Sequence, residues 1–332
     1  MKKVLYFAML LLVISQLKAQ IDRSKQPEPG PAPEINLEEP QEFSLKNGLR
    51  VLVVENHKLP RASANLNIDI APIFEGELAG ANALLSSMLG KGSQSIEKDA
   101  FEEEVDYLGA RLSFGSSSAF ASSLSRYFPR VLELMADAAL NPNFLPEEFD
   151  KEKEKLMEGI KSDENSVPAA ARRVESLITY GKNHPYGEYI SEGSVNNVQL
   201  ADVKNYYAKN FNPENAYLII IGDVDFATVK KQVTKLFKNW KGKASEAIPF
   251  PAAKNAEALE INFVDMPNAV QSEVSVDFTT EVKKTDADYF PTLLANAILG
   301  GGGEARLFLN LREDKGYTYG SYSAFRTDKN TR

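Results

Sequence analysis

The chain contains two histidines, His57 and His184, and no cysteine. That inventory constrains its chemistry at once. A hydrolytic zinc centre draws three protein ligands from His, Cys and carboxylates and keeps a further position open for water. His57 follows an apolar run in Glu55-Asn-His-Lys58 and reads as exposed, while His184 stands in a turn-like stretch, Asn183-His-Pro-Tyr-Gly187. The two lie far apart in sequence, so neither has a second His at helical spacing. A Ser-His-Asp site would need a nucleophile on an exposed elbow, and the chain has no Gly-x-Ser-x-Gly. The serines at 116–118 and 122–123 read as strand and turn residues. The run Gly300–Gly303 lacks the Lys-Ser/Thr of a phosphate loop and follows a helical pattern rather than a strand. It reads as a permissive connection between helices, where backbone approaches something closely. Taken singly, these residues build no reactive centre.

The frame around them is that of an exported globular protein. Of 332 residues, 43% are hydrophobic and 25% charged, enough for two domains with a core each. A formal charge of −8, with Lys and Arg dispersed, excludes the electrostatic footprint of a nucleic-acid binder. The alternating Glu and Lys of 147–161 suit a solvated helix face. Residues 1–19 read as a secretory signal: Lys2 and Lys3, then the apolar stretch Leu5–Ile14, then a small-residue cleavage site at Leu17-Lys-Ala19. The apolar stretch is about half of what a membrane span requires. An uncleaved N-terminal anchor is the alternative, and no Cys follows that could carry a lipid. Residues 20–40 are rich in Pro and Glu and are expected to form a disordered leader. Without disulfides, stability must come from core burial. The expected location is periplasmic or extracellular, without stable membrane insertion.

Hydrophobic periodicity lays out the elements. Gly48–Glu55 and the alternating Ala62–Ile70 read as strands, and residues 110–124 as a hairpin. Helices are expected over 76–89, 96–108, 126–140, 146–163, 168–180 and 200–209. A buried strand at Ala216–Gly222 and an amphipathic helix over 226–240 close an N-terminal domain, residues 41–247. The Pro- and Ala-rich stretch 248–256 suits a linker. The pattern then restarts over 257–332, with strands at Glu260–Val264, Gln271–Phe278 and Tyr317–Phe325 and helices at 288–299 and 304–313. That second domain is expected to be incomplete.

The ordered series of segments resembles the insulinase/pitrilysin and mitochondrial-processing-peptidase family of inverted zincins, over roughly residues 41–325. It rests on Phe43-Ser-Leu-Lys-Asn-Gly-Leu-Arg-Val-Leu52, Asn141-Pro-Asn-Phe144 with Glu148-Phe-Asp-Lys-Glu152, His184-Pro-Tyr-Gly187, Asn212-Pro-Glu-Asn-Ala-Tyr-Leu-Ile-Ile-Ile-Gly-Asp223, and the glycine-rich turn and helix of Gly300–Arg312. The fold implied is α+β: two homologous sandwich domains, each a mainly antiparallel sheet with helices on one face. The family's motif, His-x-x-Glu-His, sets two zinc ligands on one helix face with a general base between them. Here Gly80, Leu85, Met88, Lys91 and Gly92 fix the register, and Ala83, Ser86 and Ser87 stand at the first ligand, the base and the second ligand. The third ligand position falls on Gly159, with Glu152 at a supporting carboxylate. A one-residue slip would offer Glu158, and one carboxylate does not hold zinc against water.

The resemblance implies a further pair. In two-chain bacterial members one chain brings zinc, and the other brings an Arg and a Tyr that hold the peptide; Arg312 and Tyr319 match them, with Tyr317 as a competing Tyr expected to face the opposite way. An Arg fork suits peptide carbonyls or a carboxylate, and a Tyr hydroxyl suits an oxyanion. The implied function is a non-catalytic, peptide-binding subunit of an exported heterodimeric zinc metallopeptidase. It would bind no cofactor, its zinc lying in a homologous partner. A stand-alone binding or scaffold protein of the same fold is the alternative. An intact zinc endopeptidase would need ligands that the chain does not contain.

Overall fold

Small residues on two neighbouring strands decide how the main layer packs. In the computed structural model, which describes residues 30, 31, 34, 39–244, 249, 251–267 and 269–327, β1 (Gln41–Ser44), β2 (Arg50–Glu55), β3 (Arg61–Ile68), β4 (Arg111–Gly115), β5 (Ser118–Leu124) and β6 (Ala216–Gly222) form one sheet in the order β1-β2-β6-β3-β5-β4. All its pairs are antiparallel except β2 with β6. On the buried face, β3 and β5 offer Ala62, Ala64, Ala119 and Ala121, which leave room for bulk from the opposite layer. That bulk is α3 (Phe128–Leu140), whose Val131, Leu132 and Met135 are fully buried. Val51, Val53, Leu218 and Ile220 continue the face beneath α8 (Phe226–Phe237), which buries Val229, Val233 and Phe237. Large on one layer against small on the other is how a core reaches native density.

The remaining helices frame the region where the motif residues lie. They are α1 (Ala81–Met88), α2 (Lys98–Tyr107), α4 (Pro146–Asp163), α5 (Val167–Tyr180), α6 (Glu192–Asn197) and α7 (Leu200–Asn210). Local chemistry starts several of them. Pro129 and Pro146 sit in the first turns of α3 and α4. The Ser166 hydroxyl accepts from Ala169 N at 3.3 Å, and Ser191 and Ser194 form a reciprocal capping box on α6. The helix expected over 76–89 is split: Gly76–Leu78 is a short 3₁₀ turn, and α1 begins after Gly80. Gly80 has φ 113°, which explains the break. The short helix α6 has no signature in the sequence pattern, because six residues are too few to show a helical period.

Beyond the linker, α9 (Tyr289–Gly300) and a three-residue helical turn, α10 (Arg306–Phe308), lead into a π-helical turn over Leu309–Asp314. The strands expected at Glu260–Val264, Gln271–Phe278 and Tyr317–Phe325 are not formed among the described residues. Their alternation is real, but a strand persists only as part of a ladder. Asn255 and Thr279 bond through Thr279 N to Asn255 Oδ1 at 2.7 Å and Asn255 Nδ2 to Thr279 O at 2.8 Å. Between them Leu259, Ile261, Phe263, Val274, Val276 and Phe278 are exposed. The signal at 1–19, most of the leader, and Ile248 and Phe250 of the linker lie outside the described residues.

Candidate functional site

Two glutamates, neither singled out by sequence, build the entrance to α1. Glu75 Oε2 accepts from Gly80 N and its Oε1 from Asn82 N, both at 2.7 Å. This carboxylate satisfies amides at the helix start that would otherwise lack partners. Glu188 in turn accepts from Glu75 N at 3.0 Å and Gly76 N at 2.5 Å. Burial pushes the Glu75 carboxyl above the usual carboxylate range; its backbone donors pull the other way, and the neighbouring Glu188 adds to the rise. Gly80 leaves little room for a side chain: a Cβ would lie 3.1 Å from Val195 and 3.2 Å from Ile190, on a backbone with φ 113°.

Glu188 is set by the His184-Pro-Tyr-Gly turn. His184 N donates to Gly181 O, while Gly187 N and Glu188 N both donate to His184 O. The imidazole is buried, stacks on Tyr180 at 5.0 Å, and accepts from Tyr186 N at 3.0 Å through Nδ1. Burial lowers its pKa, so it is neutral at neutral pH. His184 therefore organises a turn. His57 is exposed and hydrogen-bonds Asp223 Oδ1 at 2.7 Å through Nδ1.

Along α1 the hydroxyls at the motif positions are used internally. Ser86 Oγ donates to Asn82 O at 3.1 Å and accepts from Ser116 N at 3.0 Å, tying the β4–β5 turn to the helix. Ser87 Oγ donates to Ala83 O at 3.1 Å. Both hydroxyls donate to carbonyls of their own helix, so neither Ser86 nor Ser87 has the base that would activate it. Met88, Leu84 and Leu85 stay buried and keep the helix seated.

Across from α1, α4 carries Glu152, nearly buried, and Lys91 and Lys155 reach it at 3.1 Å and 2.9 Å. Burial alone would raise Glu152, but the hydrogen bonds from these two ammonium groups outweigh it and hold the carboxyl below its usual value. Glu152 is thus neutralised by lysines. Gly159 lies on the same helix, and a Cβ there would meet nothing within 4 Å. The expected ligand positions therefore offer a methyl, two committed hydroxyls and a hydrogen, which do not fit a zinc ion. Among the described residues no group of three or more His, Asp or Glu stands together in a way that could hold a metal.

Arg312 lies on the π-helical turn with Nη1 3.9 Å from Glu313 Oε1 and its side chain partly exposed. Tyr317 N donates to Leu311 O at 2.9 Å, which returns the chain beside that turn. Tyr319 follows at 85% exposure, between Thr318 and Gly320, whose backbone and hydroxyl bond to each other. Tyr317 is exposed as well, so no strand face separates the two tyrosines. Among the described residues no hydrogen bond joins Arg312 to Tyr319.

Comparison with known proteins places this geometry. The family model described as insulinase (peptidase family M16) matches residues 50–184, and that of the peptidase M16 inactive domain matches residues 197–332. The chain belongs to the insulinase family. It is 24% identical over 292 residues to an uncharacterized zinc protease, YmxG, of Bacillus subtilis, covering 85% of this chain and 69% of that protein. It is 24% identical over 220 residues to cytochrome b-c1 complex subunit 1 of Bos taurus, covering 64% of this chain and 45% of that protein. Among solved structures, the peptidase M16 inactive domain from Pseudomonas fluorescens superposes with a TM-score of 0.71 at 25% identity, covering 87% of this chain and 71% of that one. Within the insulinase family, then, this member keeps the helix that carries the motif and lacks the motif's metal ligands.

Proposed function

We propose that this insulinase-family chain is a non-catalytic, peptide-binding subunit of an exported zinc metallopeptidase, and that a homologous chain supplies the zinc. One observation supports the reading: α1 and α4 are packed in place and lysines neutralise Glu152, while the positions that the resemblance assigns to the ligands and the base hold Ala83, Ser86, Ser87 and Gly159. A frame kept without its chemistry is useful when another chain performs the cleavage. In this reading Arg312 and Tyr319 contribute from the second half of the chain. The accessible guanidinium holds peptide carbonyls or a carboxylate, and the Tyr hydroxyl donates to developing oxyanion charge.

The test is co-purification with metal analysis. Zinc is expected only in a complex that contains a second, homologous chain. Replacing Tyr319→Phe in that complex is expected to lower peptide turnover about a hundredfold or more, as loss of one oxyanion donor does, and Arg312→Ala is expected to lower it as well by loosening the hold on the peptide. Chelator-sensitive peptidase activity in the purified chain alone would overturn the proposal. The likeness to a cytochrome b-c1 subunit supports a second reading, a scaffold that assists no catalyst. That reading gains if both substitutions leave turnover unchanged.

A further inference from the structure

A hollow remote from the motif helix collects positive charge. The β1–β2 turn contributes Lys46, the end of α8 Lys238, and the segment after Trp240 contributes Lys241 and Lys243; together with their neighbours they line about 510 Å³. The frame beneath them is fixed. Asn47 Nδ2 donates to Phe237 O and to Trp240 O, both at 2.9 Å, which locks the β1–β2 turn onto the end of α8. Trp240 is nearly buried, and its Nε1 donates to Phe211 O at 3.3 Å. Gly242 has φ 147° and packs so closely that a Cβ would lie 2.6 Å from the Cβ of Asn212.

Charge at this hollow is unbalanced. Among the described residues none of the four lysines forms an ion pair. Among the described residues the one carboxylate in the lining, Glu214, accepts from Ala244 N at 2.9 Å through Oε2. One lysine at the end of α8 is what the helix dipole favours. Four around one hollow, in a chain of net charge −8, repel one another, and an anion relieves that repulsion. Ammonium groups are compact charges with three donors each, suited to the oxygens of phosphate.

We propose that this hollow binds an oxyanion of the phosphate or pyrophosphate type, free in solution or as the headgroup of an anionic lipid. The lysines are exposed, so binding is weak and salt-sensitive. The proposal does not depend on the peptidase reading.

The test uses the full chain at low salt with two probes: inorganic pyrophosphate by titration calorimetry, and phosphatidylglycerol/phosphatidylcholine vesicles by sedimentation, with phosphatidylcholine alone as background. The variant is Lys46→Gln/Lys238→Gln/Lys241→Gln/Lys243→Gln. Its control, Lys58→Gln/Lys182→Gln/Lys204→Gln/Lys231→Gln, removes the same charge elsewhere. Wild type is expected to bind at least one probe, with the hollow variant weakened about tenfold or more and the control close to wild type. Pyrophosphate binding without vesicle binding identifies a free anion, and the reverse identifies a headgroup. No binding of either probe overturns the proposal, as does an equal loss in both variants, which would mean net charge alone. Should the fourfold variant lose its circular-dichroism signal, Lys241→Gln/Lys243→Gln in the loop gives the same comparison with a smaller loss.

Discussion

At the scale of single residues, absence and replacement are different things. At the positions that the resemblance assigns to the motif, Ala83 and Gly159 offer no donor atom in their side chains, whereas Ser86 holds Ser116 N. Lys91 and Glu152 form a partly buried pair, 3.1 Å apart. Lys91→Met leaves Glu152 with Lys155 only, and is expected to cost about 1–3 kcal/mol, since breaking a buried pair costs more than breaking an exposed one. Chemical denaturation at neutral pH measures this. Lys91→Met/Glu152→Gln together should recover part of the loss, because no uncompensated charge stays buried.

His57 gives a pH signature. Its hydrogen bond to Asp223 raises its pKa against an opposing desolvation, with the charges of Asp223, Glu55 and Asp225 adding to the rise. The folded value exceeds the unfolded one, about 6.5, so the protonated ring favours the fold. That contribution is full below the unfolded pKa and is lost as pH rises through the folded pKa. His57→Gln is therefore expected to destabilise the chain at about pH 6 and to matter less as the pH is raised; thermal melts of both proteins across that window check it. A gap independent of pH would contradict the assignment.

At the scale of elements, the relay from the His184 turn through Glu188 and Glu75 to α1 explains why the helix stays in place without metal. Gly80→Ala forces a Cβ onto Val195 and Ile190 and a side chain onto a left-handed backbone, and is expected to cost about 2 kcal/mol or more. The loop after α1 is tied to α3 in another way. Asp137 accepts from Ser93 at 2.5 Å, from Ser95, and from Asn141 at 2.9 Å. Burial would raise its pKa, but these donors outweigh it and the carboxyl lies below its usual value. Its contribution is present above the unfolded value of about 3.9 and is lost as pH falls through the folded pKa. Asp137→Asn should thus lower stability by about 1–2 kcal/mol at neutral pH, with the gap closing on acidification. In the core, Leu132→Ala on α3 is expected to cost about 2–5 kcal/mol, since Leu132 is fully buried against alanine-lined strands.

At the scale of the whole molecule the two halves differ in how their apolar residues are used. The first half buries its alternating residues between sheet and helices. The second leaves Leu259, Ile261 and Phe263 more than four-fifths exposed, as it does Val274 and Val276. Contiguous apolar exposure of this kind binds hydrophobic dyes and promotes association. Ile261→Lys/Val276→Lys is expected to reduce dye binding without shifting the unfolding midpoint of the first half, a pair of readings available from one preparation. Equal dye binding by wild type and variant would place the exposed surface elsewhere.

Sequence by itself determined the strands β2, β3, β5 and β6 and the positions of α3, α4, α5 and α8. Those follow from period, capping residues and register, which are local. Tertiary structure alone decided the rest. It split the helix expected over 76–89, because Gly80 must turn beneath Val195, and it gave the motif region its carboxylate braces at Glu75 and Glu188, 113 residues apart. It brought Lys91 to Glu152 from the loop after α1, and it drew the lysines of the β1–β2 turn and of residues 238–243 around one hollow. It also withheld the strands after the linker, whose pattern is plain in sequence, because a strand is completed by a neighbour's hydrogen bonds and not by its own side chains.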